Sequence, residues 1–435
     1  MNGHCMLLLA FAAIGVGAEA AQETAPREVV LTGADLHTVS HGRIERGEIL
    51  IREGRIAALG ARVDAPADAL RIELAGKRVY PGLIAAASVL GISEVSAVRA
   101  TNDFAEAGAI SPEVRAEAAV NPDTELWPVA RANGVLTALV SPRAGSDGVV
   151  SGQSALMQAD GWTAEQMTFK AAAGMNLHWP SARTPAWMPQ AARDRALESA
   201  GRKRAALEQA MRDARAYAAA ATVSAERTPD LRWEAMLPVL QGRVSLLVHA
   251  DTAVEIREAL AFAERERLRI ILVGGTDAWR FASTLKARDI PVILGSAHNV
   301  PLRRWESYET VYAAAGKLAA AGVRIAIAND GDSMSSSNER NLPYQAASYA
   351  AFGLGAEAAL RAITLGPAEM LGVADRLGSL DVGKDATLFV TDGDVLDART
   401  RVERAWILGR EIDLGIRHSR LYEKYQRKYR GEAKD

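Results

Sequence analysis

Few side chains in this 435-residue chain stand where chemistry could be done, and most of them close short apolar runs. His249 ends Val244-Ser245-Leu246-Leu247-Val248, and Asp330 follows Ile325-Ala326-Ile327-Ala328-Asn329. Lys170 follows Met167-Thr168-Phe169, while His178 and His298 lie in loops after further apolar runs. Imidazoles and carboxylates at strand ends are suited to moving protons or holding a cation. Each also has a plainer use. A lone strand-end histidine is commonly a hydrogen-bonded structural residue, Asn329-Asp330-Gly331-Asp332 reads as a turn, and Lys170 can pair with Glu165. In the loop Ser151-Gly152-Gln153-Ser154, backbone N–H groups and hydroxyls can face a ligand, or the glycine simply permits a tight turn.

Other chemistries are excluded by their missing residues. Gly152-Gln153-Ser154-Ala155-Leu156 fails the G-x-S-x-G nucleophile elbow, because Leu156 stands where glycine is required. Gly353-Leu354-Gly355 lacks the third glycine and the preceding strand of a dinucleotide loop, and there is no P-loop. The single cysteine, Cys5, precedes the apolar run Leu7-Leu8-Leu9-Ala10-Phe11-Ala12-Ala13-Ile14, so it is not positioned for lipid anchoring. That run is too short to span a bilayer and leads into Ala18-Glu19-Ala20, a small-x-small site. The expectation is a signal peptide cleaved after Ala20, giving a soluble periplasmic protein with no cysteine and no integral membrane segment. Cleavage removes Glu19 and no basic residue, taking the formal charge from −2 to −1. A nearly neutral chain does not point to nucleic acid as a partner; a small-molecule substrate or ligand is expected.

These residues need elements to hold them. Residues 28–80 carry short apolar runs separated by turns such as Glu53-Gly54, too close together for crossover helices, which predicts antiparallel strands. From Val79 the rhythm becomes strand, loop, helix. Strands are expected to begin near Val79, Val135, Ser154, Met167, Val244, Ile270, Pro291 and Val323, the eight that a parallel barrel requires. A helix over roughly 190–221, rich in Ala, Arg and Glu, is inserted after the fourth strand and reads as a solvated helix on the barrel exterior. After Leu371-Gly372 the β pattern returns, and pairing with residues 28–80 would make one composite β-sandwich (28–80 plus 376–412) from both chain ends. The fold class is therefore α/β, a (β/α)8 TIM-type barrel over 81–375 with that small domain. Residues 416–435 form a basic tail with Tyr422, Tyr425 and Tyr429 at helical spacing, expected to dock through its tyrosines.

The sequence resembles the amidohydrolase superfamily, in its imidazolonepropionase-like and prolidase-like branches. Val79-Tyr80-Pro81-Gly82-Leu83-Ile84 is similar to the family's entry into barrel strand one. Gly378-Ser379-Leu380-Asp381-Val382-Gly383-Lys384-Asp385-Ala386 is similar to its return to the sandwich, and Ala359 to Gly372 to its last barrel helix. The resemblance implies a metal-centred hydrolase: one or two divalent ions on imidazoles and carboxylates at the strand ends, and a carboxylate on the last strand as base. It makes Asp330 and His249 the catalytic candidates and His249, Asp330 and Lys170, the last in the place of a bridging strand-four lysine, the metal candidates. Ser88, Ser151, Gln153 and His298 are the substrate-binding candidates.

The chain departs from that pattern at three positions. Where the family places His-x-His on strand one, this sequence has Ala87-Ser88-Val89, and strand six ends in Val273-Gly274-Gly275 rather than histidine. The expectation is an exported hydrolase of carbon–nitrogen bonds in non-peptide or small peptide-like amides. It would work with a reduced or atypical site holding one divalent metal, zinc, or none, and no binuclear zinc centre. The alternative is an inactive barrel acting as a periplasmic ligand-binding protein. Ser88, Lys170, His249, Gly274, His298 and Asp330 should ring one pocket in either case.

Overall fold

In the computed structural model, residues 28–431 are described apart from 183, 186 and 224–227. The proposed signal segment lies outside them. Five strands open the chain: β1 (Val29–His37), β2 (Arg43–Arg52), β3 (Arg55–Gly60), β4 (Leu70–Glu73) and β5 (Arg78–Pro81). Three close it: β14 (Leu388–Thr391), β15 (Val402–Ile407) and β16 (Arg410–Glu411). All eight share one sheet in the order β16-β15-β14-β5-β1-β2-β3, with β4 beside β1. The antiparallel expectation holds for β1 with β2 and for β2 with β3, but β1 pairs with both β4 and β5 in parallel. Neither end of the chain has enough strands to cover its own apolar face. Leu31, Ile49 and Val79 from the first segment therefore pack with Leu388, Val390 and Trp406 from the last.

The second sheet also has eight strands: β6 (Leu83–Ser88), β7 (Val135–Val140), β8 (Val150–Gln158), β9 (Thr168–His178), β10 (Leu246–Ala250), β11 (Ile270–Gly274), β12 (Val292–Leu294) and β13 (Ile325–Ile327). They lie in sequence order, and β13 comes back beside β6 to give a barrel shape. Gly82 divides the run that begins at Val79, so Val79 belongs to the terminal sheet and Leu83 starts the barrel. One expectation fails. The sheet is not wholly parallel, because β8 runs antiparallel to both β7 and β9. A parallel return needs a crossover of a dozen or more residues, whereas only 141–149 and 159–167 flank β8. Ile84, Leu139, Leu247, Ile271, Ile293 and Ala326 fill the barrel interior beneath its mouth.

Outer helices hold the strand ends in place. The helix Ala253–Arg265 starts at a capping box made by Thr252 and Glu255, which fixes the chain directly after β10. The long helix Gln190–Val223 buries Ala200, Leu207, Ala210, Met211 and Ala214 on one stripe and leaves its other faces open. The final helix, Arg417–Tyr429, buries nothing, and Tyr422, Tyr425 and Tyr429 are 65%, 47% and 82% exposed. The expected docking through tyrosines is therefore absent. No apolar surface of the described residues meets that face.

Candidate functional site at the barrel mouth

A pocket of about 410 Å³ opens where the strands end. Its ionisable lining is Arg143, His249, Asp251, Asp330 and Asp332, with Thr276, Asn299 and Tyr349 beside them. Apart from Tyr349, on the helix Leu342–Tyr349, they come from five strand ends: Arg143 follows β7, His249 lies in β10 and Asp251 just after it, Thr276 follows β11, Asn299 follows β12, and Asp330 and Asp332 follow β13. Such convergence places sites at this face in barrel proteins generally.

Two glycines make room for the carboxylates. A Cβ on Gly274 would lie 2.6 Å from Asp251 Oδ1, and one on Gly295 would lie 2.6 Å from Asp330 Oδ1. Gly274 also has φ +89, where other residues are strained. The position read from sequence as a lost ligand is therefore a seat for a neighbouring acid. Asp251 accepts from Thr276 Oγ1 (2.9 Å). Asp330 Oδ1 accepts from the Ser296 N–H and from Asn299 Nδ2, both at 2.9 Å. Its other oxygen, Oδ2, has no hydrogen-bond partner among the described residues.

His249 and His178 stack, with ring centroids 4.2 Å apart and planes 11° from parallel. His249 Nε2 lies 3.0 Å from Asn176 Oδ1, an acceptor, so Nε2 carries the proton. Asn176 in turn donates to the Gly152 carbonyl and to Ser154 Oγ. Ser151 Oγ gives its proton to the Pro142 carbonyl (2.8 Å) and lies 3.1 Å from His178 Nε2. Burial, then the positive charge of Arg143, pushes the His178 pKa down to about 3. Burial first, then His178 and Arg143, holds His249 well below its ordinary value. Both imidazoles are neutral at physiological pH. Glu339, beneath the pocket, is pushed up to about 8, chiefly by burial and further by Asp332 and Asp330, against hydrogen bonds from Ser88 and Asn329.

Of the six residues expected to ring one pocket, His249, Gly274 and Asp330 do so. His298 is exposed, bonds Ser348, and lines an adjoining hollow of about 250 Å³ that shares Asp330. Ser88 is fully buried, with its hydroxyl accepting from the Leu90 N–H. Lys170 is not brought to the pocket. It sits at the beginning of β9, whose far end carries His178, and its ammonium donates to the Leu371 carbonyl (2.7 Å). The strand is longer than the apolar run suggested, and this puts Lys170 at the opposite end of the barrel. Gln153 turns outward to the Pro112 carbonyl, and Ser151 is spent on Pro142 and His178. Sequence reasoning missed Arg143, Asp251, Asp332 and Asn176. Their signals were present: Arg143 comes shortly after an apolar run, Asp251 stands two residues past His249, and Asp332 lies in the turn already noted.

The comparisons agree with this architecture. The Amidohydrolase family model matches residues 278–412. The amidohydrolase tasK of Hapsidospora irregularis is 24% identical over 402 residues, 83% of this chain. The chain spans 39% of that relative's length. An amidohydrolase from Thermotoga maritima MSB8 superposes with a TM-score of 0.78 at 24% identity, covering 88% of this chain and 99% of that one. A prolidase complexed with N-methylphosphonate-L-proline superposes at 0.53 with 17% identity, covering 89% and 99%. Together these matches support a likeness to the amidohydrolase superfamily.

Members of that superfamily usually bind a divalent metal such as zinc. The residues of this pocket do not fit one. Among the described residues no group of three His, Cys, Asp or Glu side chains converges as a metal site. Ala87 lines the pocket without a donor atom, and Val89 is packed away from it in the outer core. The Nε2 of His249 is committed to Asn176.

Proposed function

We propose that this chain is an exported hydrolase that cleaves a carbon–nitrogen bond of a small amide in the barrel-mouth pocket. One observation carries the reading: Asp330, just after the last barrel strand, lines the pocket and is oriented through Oδ1 by two N–H donors, while Oδ2 has no hydrogen-bond partner among the described residues. A carboxylate held in this way can take a proton from water as the water oxygen bonds to the amide carbon. The C–N bond then breaks, and the carboxyl returns that proton to the departing nitrogen. His249, neutral and fixed by Asn176, shapes the floor beside this reaction. Val300 and Leu302 line the outer part of the pocket and suit the apolar portion of a substrate.

The test is hydrolysis of a panel of N-acyl amino acids and simple aryl amides by the parent and by Asp330→Asn. The variant should lose about two orders of magnitude or more in kcat while keeping its Tm. A second reading, a ligand-binding barrel without turnover, is favoured by the missing strand-one imidazoles. In that case the parent turns over nothing on the panel, and Asp330→Asn changes only ligand affinity.

A further inference from the structure

The pocket holds three carboxylates, Asp251, Asp330 and Asp332, and one cation, Arg143. With His249 neutral, the described lining carries one positive charge against three negative, Asp251 having a further partner of its own. A metal would ordinarily balance such a set, but with the Arg143 guanidinium among them these side chains do not converge on a point as ligands must. They line the same pocket as Arg143 instead. Its guanidinium feels Asp332, Asp251 and Asp330 together, and among the described residues no ion pair ties it to one of them alone. It reaches the pocket from the loop after β7, whose neighbour β6 is the strand where the imidazole pair is missing. The substitution and the arginine thus fall on adjacent strands of one mouth.

We propose that the Arg143 guanidinium occupies the electrostatic place of the metal, as a covalently resident cation that the three aspartates share. A delocalised, permanently charged group is suited to this, since it is weakly hydrated and presents several donors at once. Its fork can also polarise a ligand carbonyl and accept the negative charge that grows on that oxygen as water adds. Burial works against the charge and the three carboxylates work for it. Removing the side chain should therefore leave an acidic pocket in need of another cation. The inference rests on the barrel mouth being the functional site, but its test requires no substrate.

Zinc is titrated against the full-length mature protein, with Tm and calorimetric heat as readouts. The parent and Arg143→Lys should show no saturable response. Arg143→Ala should gain one, with a zinc-dependent rise in Tm that disappears when Asp330→Asn is added. Should Arg143→Ala fail to fold, Arg143→Gln keeps the length without the charge and carries the same comparison. Failure of both to fold without zinc, where Arg143→Lys folds, also supports a resident cation. Stoichiometric zinc binding by the parent overturns the inference, and so does a folded Arg143→Ala that remains indifferent to zinc. Neither result touches the hydrolysis test with Asp330→Asn, so the two claims fail separately.

Discussion

At the scale of single residues, the site is governed by which groups are kept neutral. His178 and His249 are unprotonated in the fold, but in the unfolded chain they gain a proton below about pH 6.5. The unfolded state then binds more protons, so stability is lost as pH falls below that value, for His178 down to about 3. Glu339 acts in the other direction. It keeps its proton in the fold up to about pH 8, whereas the unfolded carboxyl ionises above 4.5, so stability falls as pH rises through that interval. Two imidazoles outweigh one carboxyl on the acid side, and Glu339 acts alone among these groups above pH 6.5. Urea unfolding should therefore give greatest stability at about pH 6.5. His178→Gln should flatten the acid limb, and Glu339→Gln the limb up to pH 8, each by up to roughly 1.4 kcal/mol per pH unit. Unchanged limbs would mean that these groups titrate as they do in water. Gly274→Ala is a second residue-scale case. Its Cβ meets Asp251 at 2.6 Å and its φ is +89, so a loss of about 1–3 kcal/mol in the same assay is expected.

At the scale of elements, Asn176 ties three strands together: it sits on β9, donates to Gly152 and Ser154 of β8, and meets His249 of β10. It is wholly buried, so Asn176→Leu leaves those partners unsatisfied and should cost about 2–4 kcal/mol in urea unfolding. A cost below about 1 kcal/mol would show that the network is dispensable. The final helix should behave oppositely. It buries nothing, so deleting residues 416–435 should leave Tm unchanged. Most strand positions were legible in the sequence because those barrel strands are short, buried apolar runs, whereas β8 and β9 are longer and partly polar. The reversal of β8 was not, because periodicity carries no strand direction; only the short flanking loops hinted at it. The same limit applies to Lys170: spacing located its strand but not which end of that strand it occupies.

At the scale of the whole molecule, residues distant in sequence depend on one another. Phe389 of β14 stacks with Tyr80 of β5, ring centroids 5.7 Å apart, and closes against the backbone of Gly134 just before β7. A chain ending at Leu371 would lose β14, β15 and β16 and bare the face that Trp406 and Leu388 cover. It should be insoluble or lack a cooperative melt; full cooperativity at unchanged Tm would contradict this. The site was half legible for a related reason. Motif positions located Asp330 and His249, whereas Arg143, Asp251 and Asp332 become a cluster only once three strand ends meet. The central claim is that this mouth works through Asp330 and a resident arginine rather than through bound metal. Its most direct test is to measure metal content and hydrolysis on one dialysed, chelator-treated sample. The account predicts much less than one metal per chain with turnover undiminished, while two metals per chain with turnover that follows their removal and return would contradict it.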